Sequence, residues 1–400
     1  MQQFNGAQYL KMDIASKFGL DKENWDVRLD WVRENEHRLE ELVSQADESA
    51  GFLAGVMALR KAQSGKATGY TISLDATASG VQILAALSGC EKSARACNLI
   101  DTGNREDAYT IVYKAMNERL GAVGYAPRSN VKTAVMTSLY GSKAEPRKVF
   151  GEGSKELAEF YNTMPVELPG AWALNEDLIN LWRSDVYKHQ YTLADGYEVS
   201  LKVMDGVVES VYIAGMEYEV IRHVNQPKQH EVSLAANIVH SIDGLVVREM
   251  QRRCQYDVEL VKQVMAISTT GLSTSRKKDT ELLRLLTLYR ESKFMSARIF
   301  QYLDELNAGH LKADEKREIN ILAQGMLNHK SFPLLTIHDC FRCSPNHGDH
   351  MRYHYAEIMS QLARSEMLSH IASQITGTKM AVTKKGNIAA AILESEYAIC

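Results

Sequence analysis

Apolar and polar residues change their period along the chain, and each change marks an element. In DKENWDVRLDWVRENEHRLEELVSQA, Val27, Leu29, Val32, Leu39 and Leu42 fall on a charged background. That pattern predicts an amphipathic packing helix with Asp21 as its cap. SGKATG breaks it, and in YTISLDATASG the alternation of Tyr70, Ile72 and Leu74 predicts a strand ending at Asp75. Helical periodicity returns from about Gly80 to Gly121 and from Pro127 to Tyr140, the proline fitting a helix start. Residues 190–224 alternate instead, punctuated by Asp195-Gly196, Asp205-Gly206 and Ala214-Gly215, which predicts antiparallel hairpins turning at these pairs. From about 250 to 330 the stretches SRKKDTELLRLLTLYRESK and KADEKREI predict charged helices that form an appendage. SFPLLTIHDCFRCSP then brings an apolar approach, His338-Asp339 at a turn and a short exit strand.

Composition narrows the class. A chain of 400 residues with 45% hydrophobic residues can bury a large core and hold two or three lobes. Lys and Arg number 46 against 50 Asp and Glu, so a nucleic-acid partner would be gripped by a local basic cluster, not by a global field. Six scattered cysteines make no disulfide framework, and MQQFNGAQYL has neither a basic nor an apolar leader region, so a reducing compartment is expected. No apolar run approaches the roughly 20 residues of a membrane span, and no membrane role is expected.

Two constellations carry candidate chemistry. In RSNVKTAVMTSLYGSK, four-residue steps put Arg128, Lys132, Met136 and Tyr140 on one helical face. The basic pair suits an extended anion such as a triphosphate; Gly141 permits close backbone approach, and Tyr140 offers a flat face. A solvated basic edge running into core Met136 and Tyr140 fits the same spacing, and periodicity does not choose between them. The second constellation is Asp75 at its strand end and Asp339 in its turn. Such carboxylates suit paired divalent ions, with hard oxygen ligands favouring magnesium, or they merely cap two turns. Cys340 and Cys343 lack a second ligand pair at finger-like spacing, so no zinc site is expected.

DATASGVQ, RSNVKTAVMTSLYGSK and HDC, in this order, resemble motifs A, B and C of the single-subunit DNA-dependent RNA polymerases of bacteriophage and mitochondrial type. HSIDG at 240–244, the ending GNIAAAILESEYAIC and QYLKMDIASKFGLDK extend the resemblance over nearly the whole chain. It implies a mixed α/β (α+β) fold: a right-hand polymerase palm and fingers, mainly helical, with a small antiparallel palm sheet. The implied layout is a helical N-terminal segment packing on the palm (1–65), palm with motif A (66–125), fingers with the motif B helix (126–190) and hairpins resembling a specificity loop (191–230). Palm (231–250), a helical insertion (251–330) and palm with motif C and the C-terminal segment (331–400) follow.

The resemblance also implies roles. Asp75 and Asp339, with the backbone carbonyl of Ala76, would bind two Mg2+ ions; relatives often have Gly where Ala76 stands. Arg128 and Lys132 become triphosphate contacts, Lys132 with a catalytic part. Tyr140 and Gly141 would close the nucleotide pocket and help select ribose. His240 would lie near the ribose, Tyr109 would line the pocket and Lys11 would lie near the phosphates, while Asp243 has no assigned role. DNA template, nascent RNA and ribonucleoside triphosphates are the implied partners, in the cytoplasm of an infected bacterial host. Arg222, His223, Asn225 and Gln226 are the candidates for promoter readout from the hairpins. The family's DxxGR segment is absent from this sequence, so either the chain is a fragment or, as expected here, a second polypeptide supplies the N-terminal half, as in heterodimeric phage RNA polymerases whose larger subunit the chain resembles. The insertion is a candidate site for that partner, for DNA or for a single-stranded-DNA-binding protein. Three rivals stand beside this: a DNA polymerase of related fold, though SGVQ offers Ser79, Gly80 and Gln82 instead of a blocking glutamate; a noncatalytic nucleic-acid-binding subunit; and a free-standing phosphate-binding regulator, supported only by the basic helix and disfavoured by the paired aspartates.

Overall fold

A computed structural model describes residues 1–269 and 277–400 of the protein; Ser275 and Arg276 of the charged SRKK stretch, and the side chain of Asn225, lie outside the description. Most of the described chain is helical, and its strands form three small antiparallel sheets. The central sheet has the order β1 (Ile72–Asp75), β7 (Cys340–Cys343), β6 (Leu335–Ile337). Alternation sets its faces: Ile72, Leu74, Phe341 and Cys343 are buried, whereas Asp75 is exposed. The register pairs Ile72 with Cys343 and Asp75 with Cys340, so the end of β1 lies beside the two-residue loop His338-Asp339. His338 adopts a left-handed φ of 54°, the conformation such a tight hairpin requires.

Three helices support this sheet: Ser79–Ser88, Ser233–Cys254 and Gly348–Arg364 pack against one another. Their apolar positions Leu84, Ile242 and Ile358 belong to the largest hydrophobic cluster. Gln82 is buried there too, its amide donating to Thr77 Oγ1, Cys97 O and Ala398 O while its carbonyl accepts from the Tyr355 hydroxyl at 2.5 Å. It therefore braces the segment after β1 from inside the core and does not face the cleft with Ser79 and Gly80. A second cluster, including Leu10, Ile14, Val32, Phe52 and Val56, lies within the N-terminal helices. A third, including Val261, Leu282, Leu286, Ile319 and Met326, gives the described residues between Val258 and Leu327 an apolar core of their own.

Two local expectations are corrected. The helix after DKEN starts at Trp25 behind Asn24, not behind an Asp21 cap, and gives way after Asn35 to a 3-10 segment, Glu36–Gln45, that is kinked at Arg38. Its start is set by buried Arg28, whose guanidinium donates to the carbonyls of Glu23 and Asp21 and holds the approaching loop. Val27, expected on the packing face, is 44% exposed. The hairpins are β2 (Lys188–Thr192) with β3 (Glu198–Lys202), and β4 (Met204–Ile213) with β5 (Met216–Pro227). Asp195-Gly196 and Ala214-Gly215 turn as expected, but Asp205-Gly206 runs inside β4, where the pairing register shifts. The Met204–Pro227 pairing and the bond from Lys228 N–H to Val203 O clamp the strand base and keep the chain extended there.

Candidate active site

The β1 end and the β6–β7 loop form the floor of a cleft of about 830 Å³. One backbone hydrogen bond ties them together: the Ala76 N–H donates to Asp339 O at 3.2 Å. Ala76 also bridges to Ile399, through bonds from Cys400 N–H to Asp75 O and from Thr77 N–H to Ala398 O, so its own carbonyl is not used by that bridge. Asp75 and Asp339, far apart in sequence, thus line one cavity.

Facing them is helix Arg128–Leu139, with Pro127 at its N-cap and Tyr140 at its C-cap. Val131, Ala134, Val135 and Leu139 bury one side of it, which turns Arg128, Lys132, Met136 and Tyr140 into the cleft. Arg128 is ion-paired with Asp107 and donates to Thr110 Oγ1 at 2.8 Å. Burial works to raise the Asp107 carboxyl, but hydrogen bonds from Thr110 and Arg128 outweigh it and hold the carboxyl below its ordinary range. Lys132 is exposed, its ammonium 5.7 Å from the centre of the Tyr109 ring. The Tyr140 ring stacks on His240, centroids 4.3 Å apart and planes within 4°. Desolvation pushes the Tyr109 and Tyr140 hydroxyls up to about 12 and lowers the His240 imidazole. A Cβ on Gly80 would come within 2.9 Å of the Tyr140 hydroxyl, so glycine there admits the ring to its place.

Two expected residues do not line this cleft. Lys11 is paired with Glu36 at 2.6 Å, among the N-terminal helices. Gly141, at φ +85°, closes the helix through a bond from its N–H to Ser138 O and lines a separate cavity with Trp172 and Asn175. Conversely, Asp243, Asp107 and Arg105 line the cleft without a role having been read for them. Asp243 belongs to the HSIDG segment, and helical spacing places it within a turn of His240. Asp107 had a readable cap signal, since its carboxyl accepts from the N–H groups of Tyr109 and Thr110, but its pairing with Arg128 is nonlocal.

The floor is electrostatically primed for cations. Asp75 is exposed to the cleft, yet its crowded walls desolvate the carboxyl and Asp339 repels its charge; together they raise its pKa to about 6. Asp243 is raised to about 6 by burial and then by Asp339. These hard oxygen donors fit a magnesium ion, whose charge would relieve the repulsion. Among the described residues no three His, Cys, Asp or Glu side chains already converge on one point, so Asp75, Asp339 and the Ala76 carbonyl would leave the remaining coordination to substrate and water.

A pH prediction follows with its sign. In the fold Asp75 and Asp243 hold protons up to about pH 6, against an ordinary 3.8, so the folded chain binds more protons between pH 4 and 6. Stability without metal falls as pH rises through that window. Asp75→Asn is therefore expected to raise the thermal midpoint of the metal-free protein above pH 6 and to leave it unchanged near pH 3; a midpoint lowered at pH 8 would contradict this.

Two carboxylates at a small antiparallel sheet thus share one cleft with a helix that carries a basic pair and an aromatic platform. Residues 2–148 match the family model described as DNA-dependent RNA polymerase. The chain is 30% identical over 158 residues to a probable DNA-directed RNA polymerase of Neurospora crassa, and 30% identical over 172 residues to the DNA-directed RNA polymerase of Pseudomonas phage phiKMV. Each match covers 34% of this chain, and 18% and 21% of the respective relative. The resemblance to DNA-dependent RNA polymerases is thus shown for a segment that holds Asp75, Tyr109, Arg128, Lys132 and Tyr140, while His240 and Asp339 lie beyond it. No helix among the described residues is long and apolar enough to cross a membrane.

Proposed function

We propose that the chain carries the catalytic cleft of a DNA-directed RNA polymerase, extending an RNA 3′ end with ribonucleoside triphosphates on a DNA template. The observation that carries this reading is the Ala76 N–H to Asp339 O bond, which sets both aspartates in one cleft under the Arg128–Leu139 helix. Asp75 and Asp339, with the Ala76 carbonyl, would hold Mg2+, which when bound raises the acidity of the attacking hydroxyl and offsets charge on the departing oxygen. The exposed ammonium of Lys132 is free to follow negative charge onto the leaving pyrophosphate. Arg128, pre-aimed by Asp107 and Thr110, grips a phosphate oxygen from the helix N-terminus, where the backbone dipole also favours anions. The Tyr140–His240 stack presents a flat surface to base and sugar, with the Tyr140 hydroxyl directed at Ser79.

The second polypeptide and a bacterial-host cytoplasm, both implied by the resemblance, belong to this proposal. Primer extension on a DNA template tests it, using the full chain, alone and co-purified with a candidate second subunit, in Mg2+. Ribonucleotide addition is expected; extension with deoxyribonucleotides alone would assign the cleft to a DNA polymerase. Gly80→Ala is expected to lower kcat/KM about tenfold, because the new methyl must displace the Tyr140 hydroxyl from a contact of 2.9 Å. Tyr140→Phe removes one hydroxyl and is expected to narrow the preference for ribo- over deoxyribonucleotides about fivefold, read from the ratio of kcat/KM values.

A further inference from the structure

On a chain of net charge −4, positive charge gathers around the turn between β2 and β3. Arg248 and Arg252 reach it from the long helix Ser233–Cys254, Arg284 from helix Thr280–Ser292 and Arg298 from the 3-10 segment Ala297–Gln301. The four line an open cavity of about 360 Å³ together with Tyr197, and the carboxylates in its wall are Asp195 and Glu198. The turn itself collects the guanidiniums. Asp195, 1% exposed, accepts from Arg248 at 2.6 Å and from Arg252 at 3.1 Å, and its backbone carbonyl accepts from Arg298 at 2.7 Å. Arg284 donates to Gly196 O at 3.1 Å. A Cβ on Gly196 would stand 2.8 Å from Arg298 Nη1 and 3.5 Å from Arg284 Nη1, so glycine both permits the φ of +80° and leaves room for two guanidiniums.

The ion pairs here do not consume these cations. Glu249, which also meets Arg252, is matched by buried Arg253, and Glu281 stands behind Arg298 at 3.4 Å and Arg284 at 3.7 Å. Four guanidiniums thus face Asp195, Glu198 and Glu281, and an excess of positive charge remains. Among the described residues Arg252, 22% exposed, bonds through Nη1 alone and Arg248, 29% exposed, through Nε and Nη2, which leaves N–H donors over on both. Tyr197 adds the other half of a binding surface: it is 51% exposed, with the Arg248 guanidinium 4.4 Å from its ring centre and no second ring packed on it among the described residues. Guanidiniums fork onto phosphate oxygens, and an open aromatic face beside them accepts a base; together these are the parts that hold an unpaired strand. We propose that this cavity binds a segment of single-stranded nucleic acid, its phosphates on the four arginines and one base on Tyr197. It shares no lining residue with the cleft of Asp75 and Asp339, so it is a second site.

Photocrosslinking reads this cavity without catalysis, so the proposal stands or falls apart from the polymerase reading. The probe is a short oligothymidylate carrying iododeoxyuridine, irradiated with the full chain, and adducts are located by mass spectrometry of the digested protein. An adduct on Tyr197 is expected. Two variants at partly exposed positions accompany it: R284Q, which removes one cation from the cavity wall, and E198Q, which removes the carboxylate that holds Arg284 at 2.6 Å and frees that guanidinium. R284Q is expected to lower the yield at Tyr197 about fivefold and E198Q to raise it about threefold. A rise is not a result that misfolding gives, so the opposite signs separate binding from a merely structural role. The proposal is overturned if Tyr197 carries no adduct, if the three proteins give equal yields, or if the same probe annealed into a duplex labels Tyr197 as well. Pyrophosphate or a glutamate peptide that competes as strongly as unlabelled oligothymidylate overturns it equally, assigning the cavity to a free anion or to an acidic protein segment.

Discussion

Asp75→Asn and Asp339→Asn, made singly, are each expected to lower templated RNA synthesis on the order of 1000-fold, about 4 kcal/mol of transition-state stabilisation, with the fold intact. The physical basis is that each change removes a negative charge while keeping size and hydrogen-bonding shape. Asp75 is exposed and Asp339 partly so, and their backbones are held by the β1–β7 ladder and the Ala76–Asp339 bond, so neither side chain is needed to hold the sheet. Loss of rate with unchanged circular dichroism would thus report chemistry. Metal affinity should fall in parallel, measurable by titrating Mn2+ against its electron paramagnetic resonance signal. Either variant retaining synthesis beside a partner subunit would move the chain to the noncatalytic reading.

The largest loss of stability is expected at Glu249→Ala, about 3–5 kcal/mol. Glu249 is fully buried and accepts from Arg253 at 3.0 Å, Arg252 at 2.9 Å, the Ser296 hydroxyl at 2.5 Å and the Ala297 N–H at 3.1 Å. Arg253, 1% exposed, is otherwise held by Gln361 at 2.7 Å and Met295 O at 3.4 Å. Removing the carboxylate leaves a guanidinium in the core with much of its hydrogen bonding lost, at the joint between the long helix Ser233–Cys254 and the segment around Met295. Glu249→Gln keeps an acceptor and should cost less. By contrast, Glu91→Ala breaks the exposed pair with Arg95 at 2.8 Å and is expected to change stability by less than about 1 kcal/mol. Urea unfolding of the three variants checks this ordering; equal midpoints for Glu249→Ala and Glu91→Ala would refute it.

Much of the local structure was legible because its causes are local. Alternation at Ile72 and Leu74 marked β1, the step of four from Arg128 marked the helical face on the cleft, and Ala214-Gly215 marked a tight turn whose two residues both adopt positive φ. Asp205-Gly206 misled for an instructive reason. A dipeptide suited to a turn is also suited to a register irregularity, and a clamp made by Val203 and Lys228 from outside the pair decided between them. Gln82 likewise could not be sent to the core by its neighbours, since its partners Cys97, Tyr355 and Ala398 come from three other parts of the chain.

The sequence by itself determined which side chains could do chemistry and which face of each element they share, because period and turn preference are properties of a few adjacent residues. Only the tertiary structure decided which of those side chains meet. The β1–β7 ladder joined Asp75 to Asp339, and helix packing added Asp243, Asp107 and Arg105 to the cleft while Lys11 went to Glu36 and Gly141 to another cavity. Long-range pairings of this kind depend on the mutual fit of whole elements, and no short stretch of residues encodes them.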